Sequence, residues 1–315
     1  MSALTCSGGW RSLFYVLDVH VCRAHRRYIG ARAGVARSHQ DQCIDIVRKY
    51  DYENFLATLL LPKTARRAAF AVRAFNVEIA QIRDLVSERN IALMRIHFWK
   101  DTLERIYKGQ PPETPIALEL AKAVKQHKLS KQWFARVIEA REDNLYDQHY
   151  HNLKEVENYG EKTVSSINYL ILESLDVRNI HADHAASHLG KAVGIITLIR
   201  AVPFHANRGN VYLPIDLMMQ FGVSQEEVQR GCREAKMKDL IYNIASQAHL
   251  QLEAAKSLKK DVPKTAFPAF LTTVANESYL KSIQQAEFDV FDSRLQARNS
   301  WLPMTIWLRK FKNTF

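Results

Sequence analysis

The parts of this sequence that could do chemistry are carboxylates and histidines at helical spacing. Asp84 and Glu88 stand four apart, and Glu139, Glu142 and Asp143 form a second acidic group. Three- and four-residue steps put side chains on one face of a helix, where carboxylates can hold a divalent cation or simply face water. The run His181-Ala-Asp-His-Ala-Ala-Ser-His188 adds His184 and His188 four apart, with His181 and Asp183 beside them. Two such histidines can share a zinc ion. No Glu follows the first of that pair and no third ligand stands out, so exposed or hydrogen-bonded histidines are the expectation. For the acidic groups the expectation is a solvated face. A Ser nucleophile elbow and a Gly-rich phosphate loop are both absent, which leaves ordinary hydrolase and nucleotide chemistry without a foothold.

These residues must be positioned by helices. From about Asp41 onward apolar residues recur at three- and four-residue steps, as in Phe70, Phe75, Ile79 and Ile82 or Leu189, Val193, Ile196 and Ile199. That period predicts an all-α fold, and strand-like alternation between turns is missing. Pro and Gly cluster at Gly109 to Pro115, Val202 to Pro214 and Asp261 to Pro268, which predicts breaks there. Amphipathic segments between them need one another to bury their faces, so one helical body over residues 41–315 is expected. No run of 18 apolar residues predicts a spanning helix. The stretch from Trp301 to Lys312 is apolar, aromatic and basic, a composition that suits either a membrane surface or a packed helix.

Formal net charge is +11, of which six Arg and one Asp in residues 1–40 supply +5. Arg-rich, Ser-bearing and acid-poor, that segment reads as a mitochondrial targeting presequence without a fold of its own. Zinc-finger spacing and aromatic RNA-binding boxes are lacking, so nucleic acid is not an expected partner. Cys6, Cys22, Cys43 and Cys232 are too scattered for a disulfide framework or a CxxC pair, and reduced thiols are expected.

Four segments, in order, resemble the squalene/phytoene synthase family. Ala65 to Asp84 is similar to its first acidic helix, and Glu139 to Tyr159 to its acid-rich helix and following tyrosine stretch. Leu189 to Val202 is similar to its second acidic helix, and Gly209-Asn-Val-Tyr-Leu-Pro214 to its Gly-Arg-x-Tyr-Leu-Pro. The resemblance implies an isoprenoid-synthase-like helical bundle around a central cavity. It also implies a Mg²⁺ cluster that helps diphosphate leave, held by carboxylates on two facing helices. Here the pattern departs from the family. Where it shows Asp-Asp-x-x-Asp, this chain reads Ala80-Gln-Ile-Arg-Asp84, and the second motif offers Thr197, Ala201 and His205. Asn210 replaces the Arg of the last motif, whereas Arg200 and Tyr212 match and are expected either to face the cavity or to pack and pair elsewhere.

With Asp84 the lone surviving acid of the five positions that the family keeps as Asp, the sixth, Thr197, being Asp or Asn there, no residue is assigned a catalytic, metal-binding or cofactor-binding role, and no cofactor is expected. The runs Arg73 to Gln81, Leu93 to Lys100, His181 to Ala192 and Ile244 to Leu250 are more similar still to a branch of the family that serves respiratory complex I assembly in mitochondria. That resemblance implies a non-catalytic matrix protein, peripheral at the inner membrane and acting early, with complex I subunits or assembly intermediates as partners. A divergent prenyl-diphosphate-using transferase, or a lipid or quinone carrier with a prenyl or lipid ligand in its cavity, are the alternatives.

Overall fold

The computed structural model describes residues 38–315 except 87, 147 and 148, so all but the end of the expected presequence lies outside the described residues. Ser38 and Asp41 form a capping box: Asp41 N donates to Ser38 Oγ at 3.2 Å and Ser38 N donates to Asp41 Oδ2 at 3.3 Å. This reciprocal pair satisfies donors that the first helical turn leaves free, and it starts the body at α1 (His39–Tyr50). The short α2 (Tyr52–Leu59) leads to α3 (Lys63–Ala80), and α4 (Ile82–Leu85) continues after a one-residue offset at Gln81. Next come α5 (Arg89–Tyr107), α6 (Pro115–His127), α7 (Lys131–Tyr146) and α8 (Leu153–Gly160). A π-helical turn, Glu161–Ser165, joins α8 to α9 (Ser166–Ser174). The long α10 (Ile180–Ala206) is followed by the short α11 (Ile215–Gln220) and α12 (Gln225–Gln229). The chain closes with α13 (Ala235–Ser257), α14 (Thr273–Gln285) and α15 (Leu302–Phe311). No strand occurs among the described residues, as the all-α expectation requires.

The break at Gly109 to Pro115 falls as read, and the one at Asp261 to Pro268 ends α13 but holds a 3-10 helix, Lys264–Thr272, that passes through Pro268; α10, in turn, runs through Pro203 to Ala206. Proline lacks the N–H that would bond Ile199, yet its carbonyl still accepts from Asn207 N at 3.2 Å, so a last turn closes beyond it. α10 is also long and apolar enough to cross a membrane by length and composition, although it holds no unbroken run of 18 apolar residues. Its place in the fold is internal: half of its most apolar stretch is buried, and it packs along α13, α8, α9 and the π-helical turn. α10 is thus the central helix.

One large core joins α1, α3, α5, α6, α7 and α9, anchored by Phe75, whose ring meets Trp99 at 5.3 Å and Phe134 at 5.2 Å edge to face. A second lies between α10, α13 and the segments after α10, and a small third holds α15 through Leu302 and Ile306. The last residue, Phe315, is buried and stacks on Phe270 at 4.6 Å.

Glycine shapes the crossing of α8, the π-helical turn and α10. A Cβ on Gly160 would lie 2.8 Å from Gly190 O, and one on Gly194 2.8 Å from Gly160 Cα. Only hydrogen fits between those backbones. The turn is further fixed by Glu161, which accepts from Ser165 Oγ at 2.9 Å, Ser187 Oγ at 2.6 Å and Tyr169 OH at 2.9 Å. Burial alone would raise the Glu161 pKa, but these donors and Arg136 outweigh it and hold the carboxyl below its usual value.

Candidate functional site

A cavity of about 290 Å³ opens between α3 and α10. Arg73, Asn76, Val77, Ala80, Gln81 and Asp84 line it from α3 and α4, a spacing that marks one helical face. Val193, Gly194, Thr197, Ala201, Phe204 and His205 line it from α10. The two segments that the family resemblance singled out therefore face one chamber. All six motif positions, Ala80, Gln81, Asp84, Thr197, Ala201 and His205, are on its wall.

What those residues offer is not a metal cradle. Asp84 is half-buried; burial raises its pKa, with Arg83, Arg208 and Arg141 pulling the other way. His205 is buried, and burial together with Arg83 and Arg208 lowers its pKa to about 3, so the imidazole is neutral at physiological pH. Its ring packs edge-on to Tyr212 at 4.6 Å. Arg83 lies over the Tyr212 ring at 4.8 Å and donates from Nη1 to Asn144 Oδ1 at 2.7 Å. Arg141 donates from Nη1 to Tyr159 OH at 2.5 Å, while its buried Nε has no hydrogen-bond acceptor among the described residues. Mg²⁺ needs clustered oxygen anions, and three guanidiniums around one carboxylate repel it. The residues present do not fit the Mg²⁺ cluster that the fold family implies.

The chamber's other acids are also engaged. Arg200 forks onto Glu53 with two bonds of 2.9 Å, each side chain less than a quarter exposed. Asp51 accepts from Asn54 Nδ2 at 2.8 and 3.0 Å, and burial pushes its carboxyl up to about 6 despite Arg73 nearby. Arg73 is 4% exposed, and its Nε is another buried donor without an acceptor among the described residues. Arg200 and Tyr212, the two matching residues, both line the cavity. Arg73, Asp51, Glu53 and Arg141 were missed as site residues. Arg73 alone had a signal, a charge inside the unbroken apolar face that runs from Ala68 to Phe75.

The remaining sequence candidates lie elsewhere. His181 and His184 are exposed on α10, and His188 Nδ1 shares a hydrogen bond with Gln251 Oε1 at 2.7 Å. Glu142 accepts from Lys100 at 2.5 Å, and Lys162 approaches Asp143 at 3.7 Å, so this acidic face is salt-bridged as well as solvated. Glu88 is exposed at the start of α5.

The squalene/phytoene synthase family profile matches residues 47–301. The chain belongs to that family. It is 49% identical over 293 residues to the Bos taurus NADH dehydrogenase (ubiquinone) complex I, assembly factor 6, covering 93% of this chain and 88% of that one. The Homo sapiens protein of the same name is 50% identical over 290 residues, 92% of this chain and 87% of that one. A crystal structure of a dehydrosqualene synthase in complex with ligand superposes with a TM-score of 0.75 at 18% identity, covering 87% of this chain and 95% of that one. That likeness establishes the isoprenoid-synthase-like bundle of the squalene/phytoene synthase family.

Proposed function

We propose that this chain is a non-catalytic factor in the assembly of NADH dehydrogenase (ubiquinone) complex I, acting early and at the matrix face of the mitochondrial inner membrane. Near-half identity over more than nine-tenths of the chain to relatives named for that role carries the reading. The chamber supports the absence of catalysis: its motif positions carry Ala80, Gln81, Thr197, Ala201 and His205, and Arg83 stands beside the one acid left. Complex I subunits or assembly intermediates are the partners. The basic, acid-poor segment 1–40 supplies the mitochondrial address. Peripheral attachment falls to α15, which buries Leu302 and Ile306 and exposes Trp301, Met304, Trp307 and Phe311 next to Lys310 and Lys312. Aromatic residues beside Lys or Arg suit the boundary of an anionic bilayer.

Depleting the protein from cells lowers assembled complex I, and re-expressing either this chain or its Asp84→Ala variant restores it. Should Asp84→Ala accumulate normally and fail to restore complex I, the chamber is catalytic and the reading is wrong. Incubation of the purified chain with prenyl diphosphates and Mg²⁺ gives no product; turnover would instead identify a divergent prenyl-transferring enzyme.

A further inference from the structure

The end of the chamber where α4, α7 and the last turn of α10 meet is a fixed cationic pole. Arg83 and Arg141 line it, and Arg208 lies at its exposed rim over the Phe204 ring at 3.9 Å. The charges facing it are these three guanidiniums and the Asp84 carboxyl; His205, Tyr150, Tyr159 and Tyr212 are its other titratable neighbours. Three positive groups and one acid leave a local charge of +2 when Asp84 is ionised, since His205 stays neutral and burial keeps Tyr150 protonated.

Two of the cations are held in place before any ligand arrives. Arg83 is fixed between Asn144 Oδ1 and the Tyr212 ring, and Arg141 is fixed by Tyr159. Arg141 Nε is a buried N–H with no acceptor among the described residues. A buried donor left unpaired is costly, and an oxyanion in the chamber would supply what it lacks. Away from the pole the wall carries an aliphatic strip, Val77, Ile79, Val164, Ile167, Val193 and Leu198, beside a polar side where Arg200 pairs with Glu53 and Arg73 stands near Asp51.

We propose that this pole binds the phosphate-monoester head of an amphiphile directly through Arg83, Arg141 and Arg208, with no divalent cation, while the aliphatic tail lies along the apolar wall. Fixed guanidiniums take the place that family resemblance assigns to metal ions. They neutralise phosphate without the carboxylates a metal requires. A phosphate monoester carries a charge of about −1.5 to −2 at pH 7, which matches the pole, whereas a carboxylate of −1 leaves it uncompensated. The site binds and does not ionise: no bond is made or broken.

This inference shares with the assembly role only the claim that the chamber is not catalytic. Titration of the full chain with dodecyl phosphate in the presence of EDTA tests it. Saturable binding at one site per chain is expected, with dodecanol and inorganic phosphate each weaker by about tenfold or more, because each lacks one of the two recognised parts. Arg83→Gln weakens dodecyl phosphate by a similar factor. Arg208→Gln changes an exposed side chain outside the core, so it keeps its melting temperature and still loses affinity. Four results each overturn the proposal: no saturable binding in EDTA, binding that appears only with Mg²⁺, dodecanol or inorganic phosphate bound as tightly as dodecyl phosphate, or unchanged affinity in Arg208→Gln. Restored complex I in cells by a chain that binds no dodecyl phosphate sinks this inference alone. Tight binding by a chain that fails to restore complex I sinks the assembly reading alone.

Discussion

Gly190→Ala pits packing directly against helix propensity. Gly190 lies inside α10, where alanine is intrinsically better than glycine by about 1 kcal/mol, so propensity alone predicts a more stable protein. The crossing predicts the reverse. A Cβ at Gly190 would stand 2.0 Å from Ser165 Oγ, 2.6 Å from Ser165 N and 2.9 Å from Ser165 Cα. The hydroxyl can rotate away at the expense of its bond to Glu161, but the two backbone atoms belong to the π-helical turn and cannot. Overpacking a tight site costs about 1–3 kcal/mol, and two backbone contacts under 3.0 Å put this one at about the upper figure. After the propensity gain the net loss is about 2 kcal/mol. At about 2–4 °C per kcal/mol for a body of this size, the melting temperature falls by about 4–8 °C. Thermal unfolding followed by circular dichroism reads it directly. An unchanged or higher melting temperature refutes the close-packing argument. Adding Ser165→Ala removes only the hydroxyl contact, so it recovers part of the loss; complete recovery would mean that the backbone yields after all.

Two further outcomes concern titration. A base whose folded pKa is depressed contributes stability that is present above its unfolded value and lost as pH falls toward the folded one. For His205 that window runs from 6.5 down to about 3. The loss at pH 5 is about 2 kcal/mol, at about 1.4 kcal/mol per pH unit below 6.5. His205→Gln therefore melts with a smaller drop between pH 7 and pH 5 than the parent, and an equal drop counts against the assignment. Cys43 is 1% exposed, and burial chiefly, with Glu119 adding to it, pushes its thiol up to about 12. Iodoacetamide at neutral pH leaves Cys43 unmodified in the native protein and labels it in guanidinium, as peptide mass mapping would read; native labelling would show that α1 opens readily.

How much of this was legible in the sequence depended on whether a feature is local. The helical period of Phe70, Phe75, Ile79 and Ile82 was readable because burial of one face is written into residue spacing. The pairing of Ala80 to Asp84 with Thr197 to His205 came from family resemblance, since nothing in either segment alone says that they face one another. The continuation of α10 past Pro203 was not legible: a proline near a helix end removes one bond, and whether a final turn forms is settled by what it packs on. Glu53, Asp51 and Arg141 have nothing in their sequence neighbourhood that sets them apart from other charges on helices. Only the fold brings Glu53 to Arg200 across 147 residues and sets Arg141 over a tyrosine ring. The same limit hid Glu119, a carboxylate 2% exposed that Arg67 and Lys122 hold from two sides.

Phe315 has a practical bearing on any experiment that needs a handle on this protein. Its ring is wedged against Phe267 and Phe270, and Lys259 bonds the neighbouring Thr314. An epitope or fluorescent fusion joined straight after Phe315 begins at a residue 2% exposed and must pull that ring outward to reach solvent. Loss of signal from such a fusion would report a loosened clamp on α15 rather than a failed gene product. The exposed turn at Gly109, where an added side chain would meet nothing within 4 Å, is the safer place to attach one.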